Sequence, residues 1–205
     1  MDVGLILTGL IIGFSIAAPV GPIGVLCIRR TLAQGRSFGL VSGLGAATAD
    51  AIYACIAGFG LTFISSILVG QQLWLRILGG LFLCCLGIRT FRSEPAESSV
   101  AATGKGLAAA YVSTFLLTLT NPMTVISFAA VFAGLGIATE GGDYVSAGGL
   151  VLGVFVGSGL WWFALAGGVG LFRGSFNVKG LRWVNRIAGA IIAGFGFFAL
   201  LSLKL

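Results

Sequence analysis

The chain has 205 residues, 58% of them hydrophobic and 9% charged, with a mean hydropathy of +1.09 and a net charge of +6. A soluble domain of this size has too little interior to hide that much apolar surface, so the solvent is lipid and a soluble enzyme is excluded. No histidine occurs, which removes histidine-based catalysis and leaves carboxylates as the main proton carriers.

The first charge-free run, Val3 to Ile28, is long enough for one span. It starts Met1-Asp2-Val3 without a basic region, so it reads as a span rather than a signal peptide. Within it, Ala18-Pro19-Val20-Gly21-Pro22 removes two amide donors in four residues, and the carbonyls one turn back lose their partners. In lipid such carbonyls must find another partner or line a polar cavity. Arg29, Arg30 and Arg36 follow.

From Ser37 to Leu75 Asp50 is the only charge. An acid at that depth costs about 2.5–3.5 kcal/mol on the insertion scale, which makes it a candidate for a transport path. Tyr53, three residues on, shares its helix face. Arg76 beside Trp74 reads as an interfacial anchor opening a third span that reaches Arg89. The stretch Thr90 to Gly106 mixes charge, Pro and Ser and reads as a linker.

The next span meets Thr118-Leu119-Thr120-Asn121-Pro122, where an amide and two hydroxyls accompany the freed carbonyls, and Thr124 and Ser127 extend the polar supply. Tyr144 to Phe172 forms another span, with Gly149, Gly153 and Gly157 spaced for close packing, as are Gly9 and Gly13, and Gly39 and Gly43. Trp161 and Trp162 are adjacent there and point about 100° apart, so at least one is expected to leave any cavity. Arg173, Lys179, Arg182 and Arg186 precede the last span.

The expected fold is therefore an all-α integral membrane protein with six transmembrane helices at roughly 3–26, 38–66, 73–91, 107–135, 147–170 and 184–203. The linker divides them three plus three. An odd number of spans per half implies an inverted repeat, with half-repeats 1–91 and 106–205, a cytoplasmic linker at 92–105 and a single domain over 1–205. The first and fourth helices are expected to break at Pro19–Pro22 and Asn121–Pro122. Ten of the 12 basic residues fall on alternate connections, which places those connections in the cytoplasm and both chain ends outside.

The same dispersal argues against a nucleic-acid partner. Cys27, Cys55, Cys84 and Cys85 lack metal-site spacing, so neither metal nor cofactor is expected, and no nucleophile motif points to an enzyme. The oligomeric state is left open, a homo-oligomer included.

Ala18-Pro19-Val20-Gly21-Pro22-Ile23-Gly24 resembles the LysE/RhtB superfamily of amino-acid exporters, the LysE family translocators. The likeness continues through Arg29-Arg30-Thr31-Leu32, Gly35-Arg36 and the run from Gly43 to Tyr53, then returns at Thr120-Asn121-Pro122-Met123-Thr124 and Phe128. It implies efflux of amino acids or close relatives across a bacterial inner membrane, driven by protons. In the family pattern Pro19, Gly21 and Pro22 correspond to the first break, Asp50 to the acidic position, and Asn121 and Pro122 to the second break. Two departures stand out: Pro19-Val20-Gly21-Pro22 replaces the commoner Pro-Gly-Pro, and Met123 occupies a position where many relatives carry lysine.

The function expected is export of a small zwitterion, with protons and membrane lipids as the other partners. An exporter of another small polar metabolite is the alternative, and a channel stands behind it. Asp50 carries the coupling proton, pairs with the solute ammonium, or does both in alternation; its structural alternative is a carboxylate bonded to Thr48, Tyr53 or a freed carbonyl. No lysine or arginine is expected deep in a span. The solute carboxylate is then left to hydroxyls, amides and the free N–H groups of Gly24, Met123 and Thr124 after the breaks.

Overall fold

The computed structural model describes residues 3–19, 21–58, 72–92, 104–121, 123–128, 144–175 and 178–201, and these are helical apart from short turns. In chain order the helices are α1 (Val3–Ala17), α2 (Pro22–Gln34), α3 (Arg36–Gly58), α4 (Gln72–Arg92), α5 (Gly104–Leu119), α6 (Tyr144–Leu171) and α7 (Val178–Leu201), with a 3-10 turn at Arg173–Ser175.

Proline chemistry sets the first boundaries. The residue before a proline avoids helical angles, so α1 stops at Ala17 ahead of Ala18-Pro19. Pro22 opens α2 from the position where its missing N–H costs nothing, behind an extended Gly21. Between them the chain turns by 80°. At the far end of α2, Gly35 adopts φ 108°, a conformation that favours glycine, and its N–H bonds the carbonyls of Arg30 and Thr31. Its own carbonyl accepts from the Phe38 N–H, so one residue ends α2 and starts α3.

Lipid supplies no hydrophobic drive between helices, so close backbone packing must hold them. A Cβ on Gly9 would meet the Leu150 carbonyl, and one on Gly13 the Val154 carbonyl. From the other side, Gly153 and Gly157 abut the carbonyls of Ile6 and Leu10, so α1 and α6 pack main chain to main chain. The pair α4 and α7 does the same through Gly87 against Ala193 and Gly196 against Cys84. Helix α3 lies against both α5 and α6. Its Gly43 accepts the base of Trp162, and its Gly45 the Tyr111 carbonyl. Large side chains such as Phe163 and Phe197 face outward, as a lipid-facing surface allows.

Among the described residues six full spans in a 3+3 inverted repeat do not form. Among the described residues three helices are long and apolar enough to cross a bilayer, α3, α6 and α7, with a fourth span only if the bent pair α1 and α2 counts as one. Proline-bearing sequence is the main cause. The first expected span is split into helices of 15 and 13 residues. The fourth ends at Leu119 after 16 residues, too short to cross. In α4 only twelve residues separate Arg76 from Arg89. Most of the expected linker, 93–103, and the expected helical stretches 59–66 and 129–135 lie outside the described residues. The chain is a multi-pass membrane protein on the three spans alone.

The basic residues also sit differently from the loops expected. Arg29 and Arg30 belong to α2, Arg89 and Arg92 to the last turn of α4, and Lys179, Arg182 and Arg186 to the first turns of α7.

Candidate functional site

A cavity of about 480 Å³ lies where the two chain breaks meet. Pro19, Gly21, Pro22 and Gly24 form one wall, and Thr118, Thr120, Asn121, Thr124 and Ser127 form another. Helix α3 contributes Ala46 and Asp50, α6 contributes Trp162, and α4 and α7 close it with Leu83, Phe195 and Phe198 among others. Of the residues singled out from sequence, Tyr53 does not line this space and Pro122 lies outside the described residues. The remaining eight, Pro19, Gly21, Pro22, Gly24, Asp50, Thr120, Asn121 and Thr124, come together there.

Asp50 is 3% exposed. Among the described residues its one hydrogen-bond partner is Ser158 on α6, whose hydroxyl donates to Oδ2 at 2.7 Å. Neither residue expected to hold it does so. Thr48 donates to the Leu44 carbonyl and accepts from the Tyr111 hydroxyl, and Tyr53 is engaged elsewhere. A buried carboxylate with a single neutral partner is poorly compensated, which leaves it able to accept a proton or a cation.

Tyr53 answers the freed-carbonyl problem instead. Its hydroxyl donates to the carbonyl of Leu119, the last residue of α5, and its ring packs against Phe128 with centroids 5.7 Å apart. It is therefore a cap on the second break, not a wall of the cavity.

Asn121 caps the stretch beyond. Its Oδ1 accepts from the Met123 N–H at 3.2 Å, and its carbonyl accepts from the N–H groups of Thr124 and Val125. The amides expected to be free after the second break are thus already used. The first break differs: no side chain caps Gly21 at the start of α2, and Pro22 has no N–H to cap.

Three functional candidates escaped the sequence reading. Ser158 sits within the glycine-rich face of α6, next to Gly157, and only its polarity on that face could have marked it. Trp162, one turn further, is 5% exposed and its Nε1 has no hydrogen-bond partner among the described residues.

The third is Arg30, a buried cation where none was expected, at 8% exposure. Its Nη1 donates to Ser42 Oγ at 2.8 Å, to the Ala110 carbonyl at 3.0 Å and to Thr114 Oγ1 at 2.7 Å. Its Nη2 reaches Ser113 Oγ at 2.8 Å. Those contacts tie α2 to α3 and α5 one helical turn from the cavity residues Ala46 and Thr118. Arg29 adds a bond from Nε to Asn185 Oδ1 at 2.9 Å on α7. Near the same end, Arg173 Nε donates to the Leu32 carbonyl at 3.3 Å.

The family model LysE type translocator matches residues 14–203. The chain is similar to the "Putative amino acid efflux protein YcgF" of Bacillus subtilis, 28% identical over 200 residues, covering 95% of this chain and 94% of that one. It is 25% identical over 195 residues to the "Threonine efflux protein" of Escherichia coli K12, covering 89% and 90% of the two chains. An uncharacterised membrane protein of Synechocystis is 27% identical over 192 residues, covering 91% of each. No solved structure matches the chain.

Proposed function

Because the chain belongs to the LysE type translocator family, we propose that it exports a small amino acid or amino-acid derivative from the bacterial cytoplasm in exchange for protons. The relatives named for amino-acid and threonine efflux support the substrate class. The observation that carries the reading is the single acid, Asp50, in a cavity bordered by two helix ends. At about 480 Å³ the cavity falls within the ~300–1,000 Å³ usual for small-molecule sites.

In this reading the solute ammonium and a proton compete for the Asp50 carboxylate. Release of one on each side admits the other, and outward solute movement becomes coupled to inward proton movement. The solute carboxylate turns to the uncapped first turn of α2, where the N–H groups of Ile23 and Gly24 and the positive helix end favour an anion. Thr120, Asn121 and Thr124 supply polar groups on the opposite wall. The basic ends of α2, α4 and α7 face the cytoplasm, with the chain ends on the other side.

The test is transport by the purified protein in proteoliposomes loaded with a panel of amino acids, with and without a pH gradient. Saturable efflux against a solute gradient, abolished when the pH gradient is collapsed, is the expected result. Movement only down the solute gradient for every amino acid would overturn the antiport reading.

A further inference from the structure

We propose that Trp162 is the side chain that reads the solute carboxylate, its indole N–H completing an anion subsite with the first turn of α2. The proposal rests on the export reading above and names the part of the cavity that selects its solute.

A buried N–H donor without an acceptor is costly, and such groups are rarely left alone unless a ligand or water serves them. Among the described residues Trp162 Nε1 is the one fully buried side-chain polar atom with no partner. Trp162 lines the cavity, so its indole borders the space a solute would occupy.

Its neighbours give the position meaning. Trp162 is buried in one cluster with Ala17, Ile23, Leu26 and Cys27, which brackets the break and the first turns of α2. Trp162 thus belongs to the cluster around the helix end whose amides lack a side-chain cap. Four residues earlier on the same face of α6, Ser158 holds Asp50. One helix therefore carries both ends of a zwitterion site, the acid's anchor and an unfilled donor about one turn apart.

Two other sets of donors are engaged within the protein. The amides after the second break bond Asn121, and the buried Arg30 guanidinium is engaged by Ser42, Ser113, Thr114 and the Ala110 carbonyl. Trp161, the adjacent indole, is turned to an edge contact with Phe14 at 5.4 Å. Indole N–H donates and cannot accept, so the subsite selects a carboxylate or another acceptor and gives nothing to an amine.

Trp162→Phe keeps most of the ring and removes the donor. The probes are a transported amino acid and the amine formed by removing its carboxyl group, each measured as a competitor of efflux. Losing a hydrogen bond to a charged acceptor weakens amino-acid competition by about tenfold or more, while the amine competes as before. Unchanged competition by both, or equal loss for both, overturns the proposal.

A second measurement does not depend on transport. In the Trp74→Phe, Trp161→Phe, Trp183→Phe protein, where Trp162 is the remaining indole, ultraviolet resonance Raman reports hydrogen bonding at Nε1. Its N–H band should shift on adding the amino acid and not on adding the amine. A band unmoved by every amino acid of the panel overturns the proposal, whatever the transport result. Failure of the export reading has a separate signature, the absence of gradient-driven efflux by the wild type.

Discussion

Replacing Asp50 by asparagine separates a coupling acid from a structural one. Two terms set the effect on stability. Removing a charge from the middle of a span relieves about 2.5–3.5 kcal/mol on the insertion scale. The Ser158 hydroxyl, 2.7 Å from Oδ2, keeps an acceptor in the asparagine amide, so at most a charge-assisted bond of about 1.5–3 kcal/mol is weakened to a neutral one. The terms oppose each other and the relief is the larger, so the melting temperature in detergent should not fall below that of the wild type by more than about 4 °C. Transport should not survive so well. An amide neither takes up the coupling proton nor attracts an ammonium, so accumulation driven by a pH gradient is lost while slow downhill exchange persists. The assay is gradient-driven uptake into proteoliposomes, normalised to folded protein. If Asp50→Asn kept more than about half of the wild-type gradient-driven rate, the two states would not differ in their affinity for this group and the coupling role would be wrong. A large loss of stability with coupling intact would make Asp50 structural.

The other expectations concern the frame around the site. Gly13→Val forces a branched side chain into the Val154 carbonyl and should cost about 3 kcal/mol or more, whereas Gly148→Ala, which meets nothing within 4 Å, should be nearly neutral; thermal unfolding in detergent compares them. Arg30→Lys should be worse than Arg30→Met, losing about 2 kcal/mol or more, because lysine keeps the buried charge but cannot span Ser42, Ser113 and Thr114 as a planar fork does; equal melting temperatures for the two would contradict this. Tyr53→Phe leaves the Leu119 carbonyl without its donor, a loss of about 1–2 kcal/mol, and should leave proton coupling in proteoliposomes intact; loss of coupling in a stable Tyr53→Phe protein would put Tyr53 in the proton path.

Helix existence and the cavity walls were legible because they depend on local chemistry. Two prolines around Gly21 dictate a break wherever the helices end up, and a lone acid in an apolar run advertises its own cost. The number of spans was not legible, because hydropathy does not report where a helix turns. The run Val3 to Ile28 has the composition of one straight span and is folded as two helices at 80°. Partners across helices were out of reach for a related reason. Nothing local says that Ser158, 108 positions away, is the group that meets Asp50. The same holds for Tyr53, whose spacing put it on the acid's face while its hydroxyl went to the end of α5, 66 positions along the chain.

Among the described residues two charges are buried, and the contrast in how they are held separates framework from site. Arg30 donates to three hydroxyls and a carbonyl drawn from α3 and α5, so its charge is spread over four neutral acceptors. Of these, Ser113 and Thr114 also donate to carbonyls of their own helix, which fixes the hydroxyls that receive the guanidinium. Asp50 has one partner among the described residues and borders a cavity. In a low-dielectric interior an ion held by several partners is fixed in one geometry, and an under-satisfied ion keeps a place for something that comes and goes. By that measure Arg30 holds three helices in register, and Asp50, with the unfilled indole N–H of Trp162, belongs to the part of the molecule that must change partners for transport to occur.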